Sequence, residues 1–117
     1  MFARMKRVSK YEFRLPKMVL TGLYCNGMDP FDTIQIVGRY TPLPSQLVRT
    51  KIRLSDISGI CPITYVPLWR DKLLPSQLQR RMAERLVGVE VESQMDACHQ
   101  VMLERPKQVA DILAKYT

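Results

Sequence analysis

Histidine occurs once in these 117 residues, at His99, and cysteine three times, at Cys25, Cys61 and Cys98. The cysteines are far apart and show no CxxC spacing, which argues against a disulfide framework or a zinc site and fits a reducing compartment. Five scattered glycines form neither a GxxxxGK[ST] nor a GxGxxG loop, so no nucleotide-binding fingerprint is present. Long apolar runs are missing as well. The charge-free stretches Met18 to Met28 and Ile57 to Trp69 fall short of the ~20 residues a spanning helix needs, and Pro62 and Pro67 interrupt the second. The N-terminus carries no apolar core of the secretory type.

The scarcity of histidine and cysteine leaves little for catalysis. Cys98 and His99 are adjacent, and neighbours on a helix point about 100° apart, which is poor geometry for an ion pair or shared metal. Carboxylate pairs at Asp29/Asp32 and Glu90/Glu92 match turn capping and alternating faces better than an acid–base site. The expectation is a chain with no catalytic residues, no cofactor and no metal.

What is present is positive charge. Eighteen Lys and Arg face eleven Asp and Glu, for a net charge of +7, and apolar residues make up 46%, the range of an ordinary globular domain. The excess is uneven, with fourteen basic and five acidic groups in residues 1–81 against four and six in residues 82–117. It is densest at the start, where Arg4, Lys6, Arg7, Lys10, Arg14 and Lys17 face only Glu12. That predicts a basic N-terminal arm over 1–17, which gains order against a polyanion or an acidic surface, ahead of one small domain over 18–117.

Hydrophobic patterning predicts an α+β fold. Met18 to Cys25 reads as a short buried strand or helical turn, and Asn26-Gly27 and Asp29-Pro30 mark turns. Thr33 to Tyr40 is β-like, and Leu47 to Leu54 alternates cleanly, with Arg49, Lys51 and Arg53 on its outer face. Ile60 to Val66, broken by Pro62, reads as an edge strand or an irregular segment. Together these make a β-hairpin or small antiparallel sheet over about 33–66. A helical layer over about 76–116 follows, with helices at Ser76–Val87, Glu90–Glu104 and from Pro106 onward, and Gly88 at a C-cap. Leu-Pro-Ser-Gln-Leu occurs twice, at Leu43–Leu47 and Leu74–Leu78, and reads as a reused turn. The string Leu74 to Met82 resembles a segment of the small matrix-side subunit of the cytochrome bc1 complex; the likeness covers about ten residues.

Strand residues of like orientation are about 7 Å apart, close to the phosphate repeat of a nucleic-acid strand. Arg49, Lys51 and Arg53 could thus meet successive phosphates, with Arg80 and Arg81 as an added pair and the arm as further contacts. Trp69, Met82, Met95 and Met102 offer adaptable apolar surface for protein neighbours. The expected function is a non-catalytic structural subunit of a multi-subunit mitochondrial assembly, a mitochondrial ribosomal protein that touches rRNA backbone and adjacent proteins. The alternative is a matrix-side accessory subunit of a respiratory-chain complex or ATP synthase, set against protein subunits and anionic lipid headgroups. A small free-standing enzyme or regulator comes third. The expected location is the matrix or the matrix face of the inner membrane, with the cytoplasm as the alternative.

Overall fold

Leu15, only 2% exposed, anchors the N-terminal half directly after the first cationic stretch. The computed structural model describes residues 6–51, 61–86 and 88–116. Within them the fold is α+β, with a three-stranded antiparallel sheet, a two-stranded parallel sheet and short helices. No described helix is long and apolar enough to cross a membrane.

The antiparallel sheet has the order β1–β2–β3, from Lys6–Arg7, Glu12–Arg14 and Leu43–Pro44. Its register places Lys6 opposite Arg14, Arg7 opposite Phe13, and Phe13 opposite Leu43. Residues 6–14, expected in a separate arm, therefore supply two of the three strands. After β2 the chain turns into α1 (Lys17–Val19), which widens into a π-helical turn over Leu20–Tyr24. Leu15, Val19 and Leu20 form one core cluster, packed against Leu23, Tyr24, Val37 and Tyr40.

The next segment departs from expectation. Ile34, Ile36 and Val37 predict a strand over Thr33 to Tyr40, but Pro30–Arg39 is helix α2. The cause lies upstream: the Asp29 side chain accepts from the Phe31 and Asp32 amides, and Pro30 occupies the first helical turn. A cap and a preset φ together outweigh a modest β-branched preference. The half-buried face of α2 is Thr33, Ile36 and Val37, followed by Tyr40; Phe31 and Ile34 face outward.

Of the alternating segment Leu47 to Leu54, the described part, residues 47–51, is likewise not the expected strand. Ser45–Arg49 is helix α3, with Thr50 extended after it. Residues 52–60, including Arg53, lie outside the described residues. Among the described residues, the antiparallel sheet draws only Leu43–Pro44 from the 33–66 region and takes its other two strands from residues 6–14.

Ile63–Tyr65 does form the expected edge strand, β4, paired in parallel with β5 (Val89–Val91). The ladder continues irregularly beyond the strands. Met95 N–H donates to the Pro67 carbonyl (2.8 Å), Trp69 N–H to Met95 (2.8 Å) and Arg70 N–H to Ala97 (3.1 Å). Between the strands lies α4 (Ser76–Ala83), which begins where predicted and ends earlier. Gly88, at φ +70°, turns the chain into β5 instead of capping that helix.

The predicted helix Glu90–Glu104 is absent over most of its length: its first part is β5 and the extended ladder, and only Val101–Glu104 is helical, as α5. Parallel pairing to 63–70 satisfies the backbone there, and the spacing of Val91, Met95 and Cys98 suits either state. The last predicted helix forms as α6 (Pro106–Leu113), with Pro106 in its first turn.

Candidate polyanion-binding face

The β1–β2 hairpin closes tightly. Val8 N–H donates to the Glu12 carbonyl (3.0 Å), Tyr11 N–H to the Ser9 hydroxyl (3.2 Å), and the Arg7 guanidinium Nε to the Ser9 carbonyl (3.1 Å). Helix α3 is tied to this turn, because Ser45 N–H donates to the Tyr11 carbonyl at 2.6 Å. Ser45 itself is buried, so the helix start is held against the hairpin tip.

This junction forms a cavity of about 400 Å³ lined by Arg7, Lys10, Tyr11, Ser45, Gln46, Arg49 and Thr50. Three cations from β1, the hairpin turn and α3 converge there, and no carboxylate lines it. Two of them rest on aromatic rings: the Arg49 guanidinium is 5.7 Å from the Phe13 ring centre, and the Lys10 ammonium 5.6 Å from that of Tyr11. Cation–π support of this kind orients a positive charge without neutralising it. Among the described residues, none of the three cations has an ion-pair partner.

Arg7 and Phe13, opposite each other, share one face of the sheet, and Lys6, Glu12 and Arg14 share the other. Lys6 and Arg14 are directly opposed, a like-charge pair that opposes pairing of the strands. Lys17 is exposed at the start of α1.

The structure redistributes the other residues singled out from sequence. Arg49 and Lys51 do not share a strand, so the expected 7 Å ladder of Arg49, Lys51 and Arg53 does not form. Lys51 is exposed beyond α3, and Arg4 and Arg53 lie outside the described residues. Arg80 lines a different cavity, of about 360 Å³, together with Glu84 and Glu92, and Arg81 is exposed on α4. Trp69 (63%), Met82 and Met102 are exposed, whereas Met95 is buried on the parallel ladder.

A second polar cluster has no counterpart in the sequence reading. The Arg70 Nε donates to Asp96 at 2.7 Å, its Nη2 to Glu104, and its Nη1 to the Asn26 carbonyl at 3.4 Å. Glu104 also accepts from Cys98 N–H at 2.7 Å. Burial alone would raise the Glu104 carboxyl, but the Cys98 N–H and the Arg70 guanidinium overcome it and hold the group below its usual range.

Beside it, Asp71 accepts from the Leu73 and Leu74 amides and lies 2.9 Å from His99 Nδ1. The imidazole meets the edge of Tyr24 at 5.0 Å. His99 sits in a turn before α5, not on the expected helix. Burial pushes the adjacent Cys98 thiol up to about 11, which keeps it protonated near neutral pH and unsuited to nucleophilic attack. The described residues contain no group of His, Cys, Asp and Glu that could hold a metal ion. Nothing in sequence spacing announces this cluster, since the partners of Arg70 lie 26 to 44 positions away and His99 lies 28 from Asp71; a lone arginine between Trp69 and Asp71 is its only trace.

No protein-family model matches the chain, and neither a curated protein nor a solved structure is similar to it.

Proposed function

We propose that the chain is a non-catalytic structural subunit that binds the phosphate backbone of a structural RNA through the face containing Arg7, Lys10 and Arg49. The observation that carries this reading is the carboxylate-free cavity on which those three cations converge. Phosphate oxygens are the complementary ligand for the two arginine forks, one resting on the Phe13 ring (Arg49) and the other tied to the Ser9 carbonyl (Arg7). Lys6 and Arg14, on the other face of the same sheet, add to the positive field at this end of the chain without lining the cavity.

In this reading the assembly is the mitochondrial ribosome, which the basic, acid-poor N-terminal stretch supports. Exposed Trp69, Met82 and Met102 are its contacts to neighbouring proteins.

The test is the salt dependence of binding to an rRNA fragment, read by fluorescence anisotropy between ~50 and ~200 mM salt. Log affinity should fall linearly with log salt, and Arg7→Ala and Arg49→Ala should each flatten the slope by about 0.7–0.9. A salt-independent affinity, or variants with unchanged slopes, rules the reading out.

A second reading, a matrix-side accessory subunit of a respiratory-chain complex or ATP synthase, draws on the exposed Phe31, Ile34 and Trp69. Sedimentation from a gentle organelle lysate separates the two. An RNase-sensitive particle goes with the first, and a detergent-dependent particle indifferent to RNase goes with the second.

A further inference from the structure

We infer that the Arg7/Lys10/Arg49 cavity takes a single-stranded nucleotide, with the base stacked on the face of Tyr11 that the Lys10 ammonium leaves open, and does not take a duplex backbone. This rests on the phosphate-binding reading of the same cavity and narrows it to one form of RNA. Three observations carry it. Tyr11 lines the cavity with its side chain largely in solvent, at 68% exposure, although a tyrosine ring is normally a large apolar payload. Its backbone is fixed by the Ser45 N–H bond and the Ser9 contact, so the ring sits on a braced turn. The cavity is an open hollow of about 400 Å³, at the small end of ligand pockets and on the scale of one splayed nucleotide.

In a duplex the base faces are already stacked on each other, which leaves an exposed tyrosine ring with nothing to meet. In a loop or bulge the base is free, and pairing a cationic groove with an aromatic platform is how proteins hold single strands. Arg7 and Arg49 then serve the flanking phosphates. Gln46, whose amide both donates and accepts, also lines the cavity and is the side chain available to a base edge there.

The experiment compares an oligouridylate of about eight nucleotides with a blunt RNA duplex of equal phosphate number, by anisotropy at one salt concentration. The full chain is tested as wild type, Tyr11→Ala, Tyr11→Phe, Arg7→Ala and Arg49→Ala, each checked by circular dichroism. The expected result is tighter binding of the single strand. Tyr11→Ala should lose it about tenfold, while changing duplex affinity less than twofold, and Tyr11→Phe should retain it.

Equal affinity for both RNAs, with Tyr11→Ala neutral, overturns the stacking inference; if Arg7→Ala and Arg49→Ala still weaken both, the phosphate reading stands. Binding that neither arginine variant weakens overturns the phosphate reading itself, and the inference with it. Preferential binding to phosphatidylserine vesicles over either RNA also overturns it.

Discussion

Lys6 and Arg14 face each other across β1 and β2 with no acid directly between them. Opposed like charges weaken a strand pair, whereas an opposite-charge pair contributes about 0.2–1 kcal/mol. Lys6→Glu should therefore raise the thermal midpoint of the free chain and at the same time weaken its binding to RNA. A midpoint that falls, or RNA affinity that is unchanged, contradicts a sheet tuned for an external anion. Arg70 is the opposite case, with its charge satisfied inside the molecule.

Gly27 permits that arrangement. At φ +77° it adopts a conformation side chains resist, and a Cβ there would lie 2.5 Å from the Arg70 Nη1. Arg70→Ala leaves Glu104, whose side chain is 9% exposed, with only the longer contact to Arg105 at 3.8 Å and should cost about 1.5–3 kcal/mol in urea unfolding. Arg70→Lys should not restore it, because the fork that reaches Asp96, Glu104 and Asn26 is lost. Since the folded protein holds the Glu104 carboxyl below its ordinary 4.5, its contribution is complete above that pH and is lost as pH falls through the lower folded value. Glu104→Gln should flatten stability against pH in this acid window; an unchanged acid limb argues against the ion pair. None of this is legible in the sequence, because the partners of Arg70 are brought together only by the fold.

Among the elements, legibility follows local against non-local control. The helices at Ser76 and Pro106 are readable because proline placement and helical spacing agree. Residues 33–39 mislead because their β-branched side chains carry less weight than the Asp29-Pro30 cap, and 90–100 because strand pairing comes from a partner some 26 positions away.

The twin Leu-Pro-Ser-Gln-Leu strings show where local control stops. Both begin a helix at serine after an extended proline, Pro44 and Pro75, so the shared words encode one helix start. The copies then diverge at the next position, Val48 in one and Gln79 in the other. Gln79 is 2% exposed and clasps the chain: its Oε1 accepts from Leu68 N–H at 2.8 Å, and its Nε2 donates to the Leu68 and Leu74 carbonyls. Gln79→Ala leaves those backbone groups unsatisfied and should cost about 2–3 kcal/mol. Gln77→Ala, at an exposed site two residues earlier, should stay within about 0.5 kcal/mol. Equal losses in the two variants would show that the clasp adds nothing.

Taken whole, the described residues bury nine apolar side chains while fourteen large hydrophobic residues are exposed. That balance predicts a free chain near or below the lower end of ordinary domain stability, about 5 kcal/mol. A ligand that binds only the folded form stabilises it by about 2.7 kcal/mol at a hundred times its dissociation constant. Saturating single-stranded RNA should therefore shift the urea midpoint of the wild type upward and leave an Arg7→Ala/Arg49→Ala double variant nearly unmoved. The α+β class and the basic character of the N-terminal half can be read from the sequence. The way the cationic residues join α3 cannot, because it depends on a two-residue strand at Leu43–Pro44 with no pattern of its own.

The two sheets also differ in when they can exist. The hairpin joins residues 6–14 through a four-residue turn, whereas β4 must wait for β5 across an intervening helix. Local pairing closes in microseconds, and parallel pairing over a crossover is slower. During synthesis both strands of the cationic hairpin have emerged while the parallel half is still unmade. The end proposed to face RNA is thus ready for its partner before the rest of the chain has left the tunnel. Pulse-labelled hydrogen exchange during refolding should show Val8 and Arg14 amides protected before those of Glu92 and Met95.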